Sequence, residues 1–346
     1  MQRREFLLTL AAAGAAAELS TAGTARAAES DIVIGLSNGY FGTEWRNQMI
    51  AGAKAQFALY KKKGMAKSLV IQQSGANINE QIQDIRNMIR QGVSVITTDA
   101  NSANALNGVI NEAKRAKIPF VAFDMAVTDP YAVNVTVDHY QWGTVYAEWV
   151  AKTLNGKGKV VILDGVPGHP AAEARRKAAF DVFHRYPGID IVWSGYGWWD
   201  DAKAERVMST VIASHPVIDG AFVEDSMGLG VLQAFLNAHR PIPAMTGEAQ
   251  KAFLLAWKRQ LALGTHMRAF AQANPPWVSR DAIGFAVRIA AGKTLKPLAH
   301  NTFYTPIHKT VTGETLDATL AEMKDEPDAW FLEEWLTEEQ LDALFT

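Results

Sequence analysis

Short runs of apolar and β-branched residues alternate with longer stretches of helical period, and the alternation runs through the chain twice. Residues 32–36, 68–71, 94–98 and 119–123 read as strands, with helices expected over 43–61, 80–90 and 105–115 between them. The strand runs are apolar nearly throughout rather than at every second position, so both faces of their sheet must be covered. Helices as connections meet that requirement and make the sheet parallel. The rhythm restarts at 135–137, with helices over 142–154, 172–184, 202–213 and 229–238 and strands over 159–163, 190–193, 220–223 and 243–246. Two similar α/β halves of about 110 residues each predict two lobes. Only the architecture repeats; no strong residue-by-residue repeat accompanies it.

The chain continues past the second half with a strand over 266–272, a helix over 277–291 and an extended piece over 301–311. If that helix completes the first lobe, the chain crosses between lobes more than once. The expected division is then 29–137 plus 273–297 for the first lobe and 138–272 plus 298–312 for the second. An acidic, helical C-terminal extension follows over 313–346, with Trp330, Phe331, Trp335, Leu341 and Leu344 at helical spacing to pack against a lobe. A hinge of several strands suits closure around a ligand.

Residues 1–28 read as an export signal rather than as part of the fold. Arg3-Arg4 opens a basic region, an Ala-rich apolar run follows over 7–17, and Ala25-Arg26-Ala27-Ala28 is a small-residue stretch suited to cleavage. The paired arginines favour the twin-arginine route and a periplasmic destination. The apolar run falls well short of the roughly 20 residues that span a bilayer. The sequence has no cysteine, which removes disulfides, thiolate metal sites and a thiol-borne lipid anchor. The full chain carries a net charge of −2 and the signal +1, which leaves about −3 without it. Nothing in that balance suggests a nucleic-acid partner.

Motifs of catalysis are not found. There is no Gly-x-Ser-x-Gly elbow, no His-Glu-x-x-His pair and no complete Gly-x-Gly-x-x-Gly loop. Gly292-Lys293-Thr294 mimics the end of a phosphate-binding loop, but Val287 stands where its first glycine belongs. The eight histidines are scattered without metal-ligand spacing. An enzyme is therefore not expected, and neither is a metal or cofactor.

The predicted strand ends are informative, because open α/β sheets bind ligands beyond the carboxyl ends of their strands. Ser37 to Arg46 follows the first strand, Asp99-Ala100-Asn101 the third and Asp124-Met125 the fourth. In the second half the ends carry Asp138, Gly165-Val166-Pro167-Gly168, Trp198-Trp199-Asp200, Glu224-Asp225 and Gly247-Glu248, and Gln272 closes the late strand. Carboxylates and amides exchange hydrogen bonds with hydroxyls while ring faces cover C–H surfaces, the mixture that a sugar or polyol requires. For any single acid, capping the helix that follows is an equal alternative.

From Ile32 to about Val311 the chain resembles the type I periplasmic binding proteins of the ribose-binding family. The resemblance rests on Ile34-Gly35-Leu36-Ser37, on Ile96-Thr97-Thr98-Asp99 with Asn104, and on Ala116 to Asp124. It continues through Gly165-Val166-Pro167-Gly168, Trp199-Asp200-Asp201-Ala202-Lys203-Ala204 and Phe222 to Gly230. It implies two Rossmann-like lobes on a multi-stranded hinge, and capture of a small molecule, a sugar or polyol, for an ABC transporter permease. A chemoreceptor is a further partner of such proteins that the sequence does not separate from transport. The implied ligand positions are Phe41 and Trp45 as stacking aromatics, Asp124 for two hydroxyls, Trp199 as a wall, and Glu224, Glu248 and Gln272 as polar contacts. Met125 and Ala174 stand where relatives carry arginine, although Arg175 and Arg176 sit beside Ala174, and Glu224 and Glu248 stand where relatives carry Asn and Asp. The resulting expectation is a pocket rich in acceptors and poor in cations, suited to a neutral polyol or to a cationic solute. Rival classes on the same residues are a repressor effector domain, for which the DNA-reading segment is lacking, and a periplasmic hydrolase or isomerase.

Overall fold

The computed structural model describes residues 31–39 and 42–346. The expected signal at 1–28 and the expected ligand residue Phe41 lie outside the described residues. The first half runs β1 (Val33–Asn38), α1 (Glu44–Lys62), β2 (Ser68–Gln73), α2 (Ile78–Gln91), β3 (Val95–Asp99), α3 (Asn107–Arg115), β4 (Phe120–Phe123) and β5 (Val133–Thr136). The second runs α4 (His139–Thr153), β6 (Lys157–Asp164), α5 (Pro170–Phe183), β7 (Gly188–Tyr196), α6 (Asp201–Ser214), β8 (Gly220–Val223), α7 (Gly228–Asn237), β9 (Ala244–Glu248), α8 (Lys251–Ala262) and β10 (Ala269–Gln272). Then come α9 (Val278–Ala290), β11 (Thr302–Tyr304), β12 (Thr310–Val311), α10 (Leu316–Glu322) and α11 (Glu338–Ala343).

Among the described residues these strands form two six-stranded sheets, ordered β11-β5-β4-β3-β1-β2 and β12-β10-β9-β8-β6-β7. All pairings are parallel except that of β12 with β10. The continuous apolar character of the strands has its reason in two-sided burial. Val95 and Val121 pack with α1 and α9, while their neighbours Ile96, Phe120 and Ala122 pack against α2 and α3. In the second sheet Val161 and Leu163 face α6 and α7, while Val160 and Ile162 face α4 and α5.

In both sheets the strand order reverses beside the first-formed strand, between β1 and β3 and between β6 and β8. Such a switch point opens a crevice at the carboxyl ends of the two strands. Asp99 ends β3, and Asp164 ends β6 with Glu224 directly after β8.

The chain passes between the two bodies at 137–138, at 273–277 and again between β11 and β12. The last passage corrects an expectation. Residues 298–312 were expected to belong to the second half, but Thr302–Tyr304 extends the first sheet beside β5, and only Thr310–Val311 turns back against β10. The extended piece is split because each end finds a different open sheet edge to pair with.

The C-terminal segment packs on both bodies rather than on one. Leu316, Leu320, Met323 and Leu332 join the second core, while Leu336, Leu341 and Phe345 join the first. Between them Phe331 bridges to Gln250 and also bonds both ways with the Gln48 amide, at 2.9 Å in each direction. Asp281, buried on α9, accepts from Thr305 Oγ1 at 3.2 Å and from the Leu336 N–H at 3.0 Å, tying a crossing strand and the tail to one side chain. No helix among the described residues is long and apolar enough to cross a membrane.

Candidate functional site

Helix starts place the first layer of the site. Thr43 caps α1 by accepting from the Arg46 N–H, which sets Trp45 and Arg46 in the first turn at the carboxyl edge of the first sheet. The Trp45 indole N–H donates to the Asn274 carbonyl at 2.8 Å, so this aromatic reaches the crossing segment that leads out of β10. Asp138 and Asp200 are caps, accepting from Gln141 N and Lys203 N at 2.9 and 2.8 Å. For these two acids helix capping is the role the structure shows; Asp124, Glu224, Asp225 and Glu248 cap nothing by side chain.

Each body brings one guanidinium to two carboxylates. In the first, Arg46 pairs with Asp99 and lies 3.8 Å from Asp124, its guanidinium over the Trp45 ring at 4.8 Å. In the second, Arg175 is completely buried, 3.1 Å from Glu224 and 2.5 Å from Asp225, and rests on the Trp142 ring at 4.3 Å. Its other terminal nitrogen lies 3.1 Å from His139 Nδ1. The remaining Glu224 oxygen accepts from the Gly165 N–H, and Arg176 pairs with Asp164. The cavity lining itself holds no Lys or Arg among the described residues; the cations stand behind it, paired with carboxylates. Ala174 does face the cavity, but its neighbour Arg175 turns to the carboxylates, and Arg46 supplies a second cation from another element.

Burial governs the charge states. It raises Asp124 against the lowering pull of Arg46 and Arg175, and it pushes Glu224 up to about 8 despite Arg175. Glu248 is raised well above the ordinary carboxylate range by burial and then by Asp225. Burial opposes the charge on Arg175, but Asp225 and Glu224 outweigh it and raise its pKa. His139 is held well below its usual value by burial, then by Arg175 and His169, and His169 falls to about 4 for the same reason with Arg175 and Arg46 adding. Both imidazoles are neutral at neutral pH.

The backbone is strained where the site is built. Asp124, Trp198, Trp199 and Asp225 all hold positive φ, between 45° and 59°, a region that costs non-glycine residues of order 1 kcal/mol or more each. Trp199 stands edge-on to His169 at 4.7 Å and lies across Gly165 so closely that a Cβ there would sit 2.0 Å from the indole nitrogen. Only glycine permits that approach. Trp199 Nε1, Asp225 Oδ1 and Asn274 Oδ1 are buried polar atoms with no protein partner.

A cavity of about 290 Å³ opens between the bodies, lined by Asp124, Met125, Asp138, His139, His169 and Ala174 with crossing-segment residues Val137 and Tyr304. Of the expected ligand residues, Asp124 lines it; Trp45, Trp199, Glu224, Glu248 and Gln272 do not. Glu248 accepts from the Asn274 N–H at 3.0 Å and pairs in register with Gln272, whose backbone exchanges hydrogen bonds with the Tyr146 hydroxyl. Among the described residues no group of three or more His, Cys, Asp or Glu is placed to hold a metal ion. Sequence reasoning placed Arg46 in the first strand-end loop and Arg175 beside Ala174 without giving either a role, and it passed over His169.

A family model described as periplasmic binding protein domain matches residues 34–294. The xylitol-binding protein of Mycolicibacterium smegmatis (strain ATCC 700084 / mc(2)155) is 32% identical over 185 residues, 52% of this chain and 53% of that protein. The ribose import binding protein of Bacillus subtilis (strain 168) is 26% identical over 200 residues, 57% of this chain and 64% of that protein. The chain thus spans between about half and just under two thirds of these relatives. Among solved structures, an ABC transporter solute binding protein from Thermobispora bispora DSM 43833 superposes with a TM-score of 0.78 at 25% identity, over 90% of this chain and 94% of that one.

Proposed function

Since the chain belongs to the periplasmic binding protein domain family, we propose that it captures a small neutral polyhydroxylated molecule, a sugar or polyol, and presents it to an ABC importer. The observation that carries this reading is a cavity between the bodies lined by Asp124, His139 and His169, with a guanidinium–carboxylate cluster of each body directly behind it: Arg46 lies 3.8 Å from Asp124, and Arg175 lies 3.1 Å from His139 Nδ1. Hydroxyls both donate and accept, so they match a wall that offers carboxylate oxygens together with imidazole and hydroxyl groups. The relatives' names, xylitol-binding and ribose import binding, point the same way.

In the mechanism we propose, the first lobe is the body of the β1–β5 sheet with α9, β11 and α11, and the second is that of the β6–β10 sheet with β12 and α10. The ligand bridges them and stabilises the closed arrangement through contacts that only that arrangement completes. The closed shape is what a permease, or a chemoreceptor, recognises. Residues 1–28 direct export by the twin-arginine route to the periplasm. No covalent step is involved, and bound ligand is expected to be recovered unchanged.

A thermal-shift screen of the protein lacking residues 1–28 against pentoses, hexoses, pentitols and myo-inositol tests the reading. Ligand at 100 times its Kd stabilises by about 2.7 kcal/mol, a visible rise in Tm. A hit among neutral compounds is expected; response to none of them, or turnover of the bound compound, overturns it.

A further inference from the structure

The cation behind Asp124, the acid that lines the cavity, has a consequence for which ligands enter. Arg46 is mostly buried, its side chain 15% exposed, and it is held by stacking on Trp45 and by two carboxylates, those of Asp99 and Asp124. Asp99 ends β3, and Asp124 directly follows the neighbouring strand β4. Without the guanidinium, Asp99 and Asp124 would stand as two negative charges beside the cavity, an arrangement that attracts an ammonium group. With it, one positive charge offsets one of the two. The opposite wall repeats the arrangement with Arg175 between Glu224 and Asp225. The clusters act on each other across the cleft, since Asp124 responds to Arg175 and Asp225, and His169 to both guanidinium groups.

We infer that Arg46 is the residue that makes the cleft select neutral polyhydroxylated ligands over their amino-substituted analogues. A hydroxyl can face either a guanidinium or a carboxylate, whereas an ammonium has donors only and meets a like charge at Arg46. The inference rests on the sugar or polyol reading above and says which residue enforces it.

The test is calorimetric titration at pH 7 with xylitol, ribose and myo-inositol, each paired with its amino-deoxy analogue. For the unaltered protein the neutral member of the bound pair is expected to win by about tenfold or more, given the cost of juxtaposed like charges. Arg46→Gln should shift the ratio toward the amine by a similar factor, and Arg46→Lys, which keeps the charge, should hold it near its original value. Should Arg46→Gln fail to fold, Asp124→Asn reads the same balance from the other side and should shift the ratio further toward the neutral compound. An unchanged ratio in Arg46→Gln, or in Asp124→Asn where that variant carries the test, overturns the inference while leaving the sugar or polyol reading intact. Preference of the unaltered protein for the amine overturns it as well. Failure of every neutral compound to bind sinks the underlying reading and this inference with it.

Discussion

At the scale of single residues, the placement of acids at strand ends was legible, whereas the direction in which the neighbouring cations turn was not. Asp124, Glu224 and Glu248 stand at strand ends, where the rule for open sheets says to look. Arg175 and Arg176 are adjacent on α5, and a step of about 100° of helix rotation sends one to Glu224 and Asp225 and the other to Asp164. The surrounding Ala-Ala-Glu-Ala-Arg-Arg-Lys-Ala-Ala carries too little contrast to fix that phase from the sequence. Removing Arg175 strands two buried carboxylates, so Arg175→Met is expected to cost about 3–5 kcal/mol in urea unfolding. The buried acids also set a pH dependence. Glu224 rises from its ordinary 4.5 to about 8 on folding, so its contribution is complete below its unfolded pKa and is lost as pH climbs through 8. Unfolding midpoints of the ligand-free protein are therefore expected to fall between pH 5 and 9, and Glu224→Gln to flatten the slope. A midpoint that rises over this range contradicts the assignment.

At the scale of elements, alternation identified nearly every strand and helix, and the exceptions have local causes. α8 went unread; it has no side-chain cap, a lack it shares with α3, α7 and α9, whose apolar periodicity was read without one. α4 begins at His139, before its first large apolar residue, because Asp138 supplies the cap. β11 and β12 are three and two residues long and exist only through their partners, so nothing in their own residues divides them. Where a cap is present and remote from the cavity its worth is measurable. Asn77 accepts from the N–H groups of Asn79 and Glu80, and Asn77→Ala is expected to lower stability by about 1 kcal/mol with ligand affinity unchanged. Gly165→Ala is the contrasting case, because its methyl group collides with the Trp199 indole. Weaker binding with a shifted tryptophan emission is expected, whereas unchanged affinity would show that Trp199 does not need its present seat.

At the scale of the whole molecule, two bodies and repeated crossings followed from the sequence, but the route of the tail did not. Its acidic composition reads as solvated surface, while its apolar residues are shared between two cores on different bodies, a division that only the assembled bodies define. Truncation after Glu334 removes Leu336, Leu341 and Phe345 from the first core, and each buried side chain of this size is worth about 1.5–3 kcal/mol. Loss of several kcal/mol in denaturant unfolding is expected, together with an altered pH response as Asp281 loses the Leu336 N–H. The same tail bears on the order in which the molecule can assemble. Gln48 meets Phe331 across 283 residues and Tyr60 meets Glu338 across 278, while α9 and β11 also finish a sheet begun at residue 33. The body whose strands are made first is thus the one completed last, and loop closure on that scale makes for slow folding. On a ribosome, the second body can close around its own sheet while the first still waits for residues beyond 330, so a stalled nascent chain of about that length should resist protease in its later half before its earlier one.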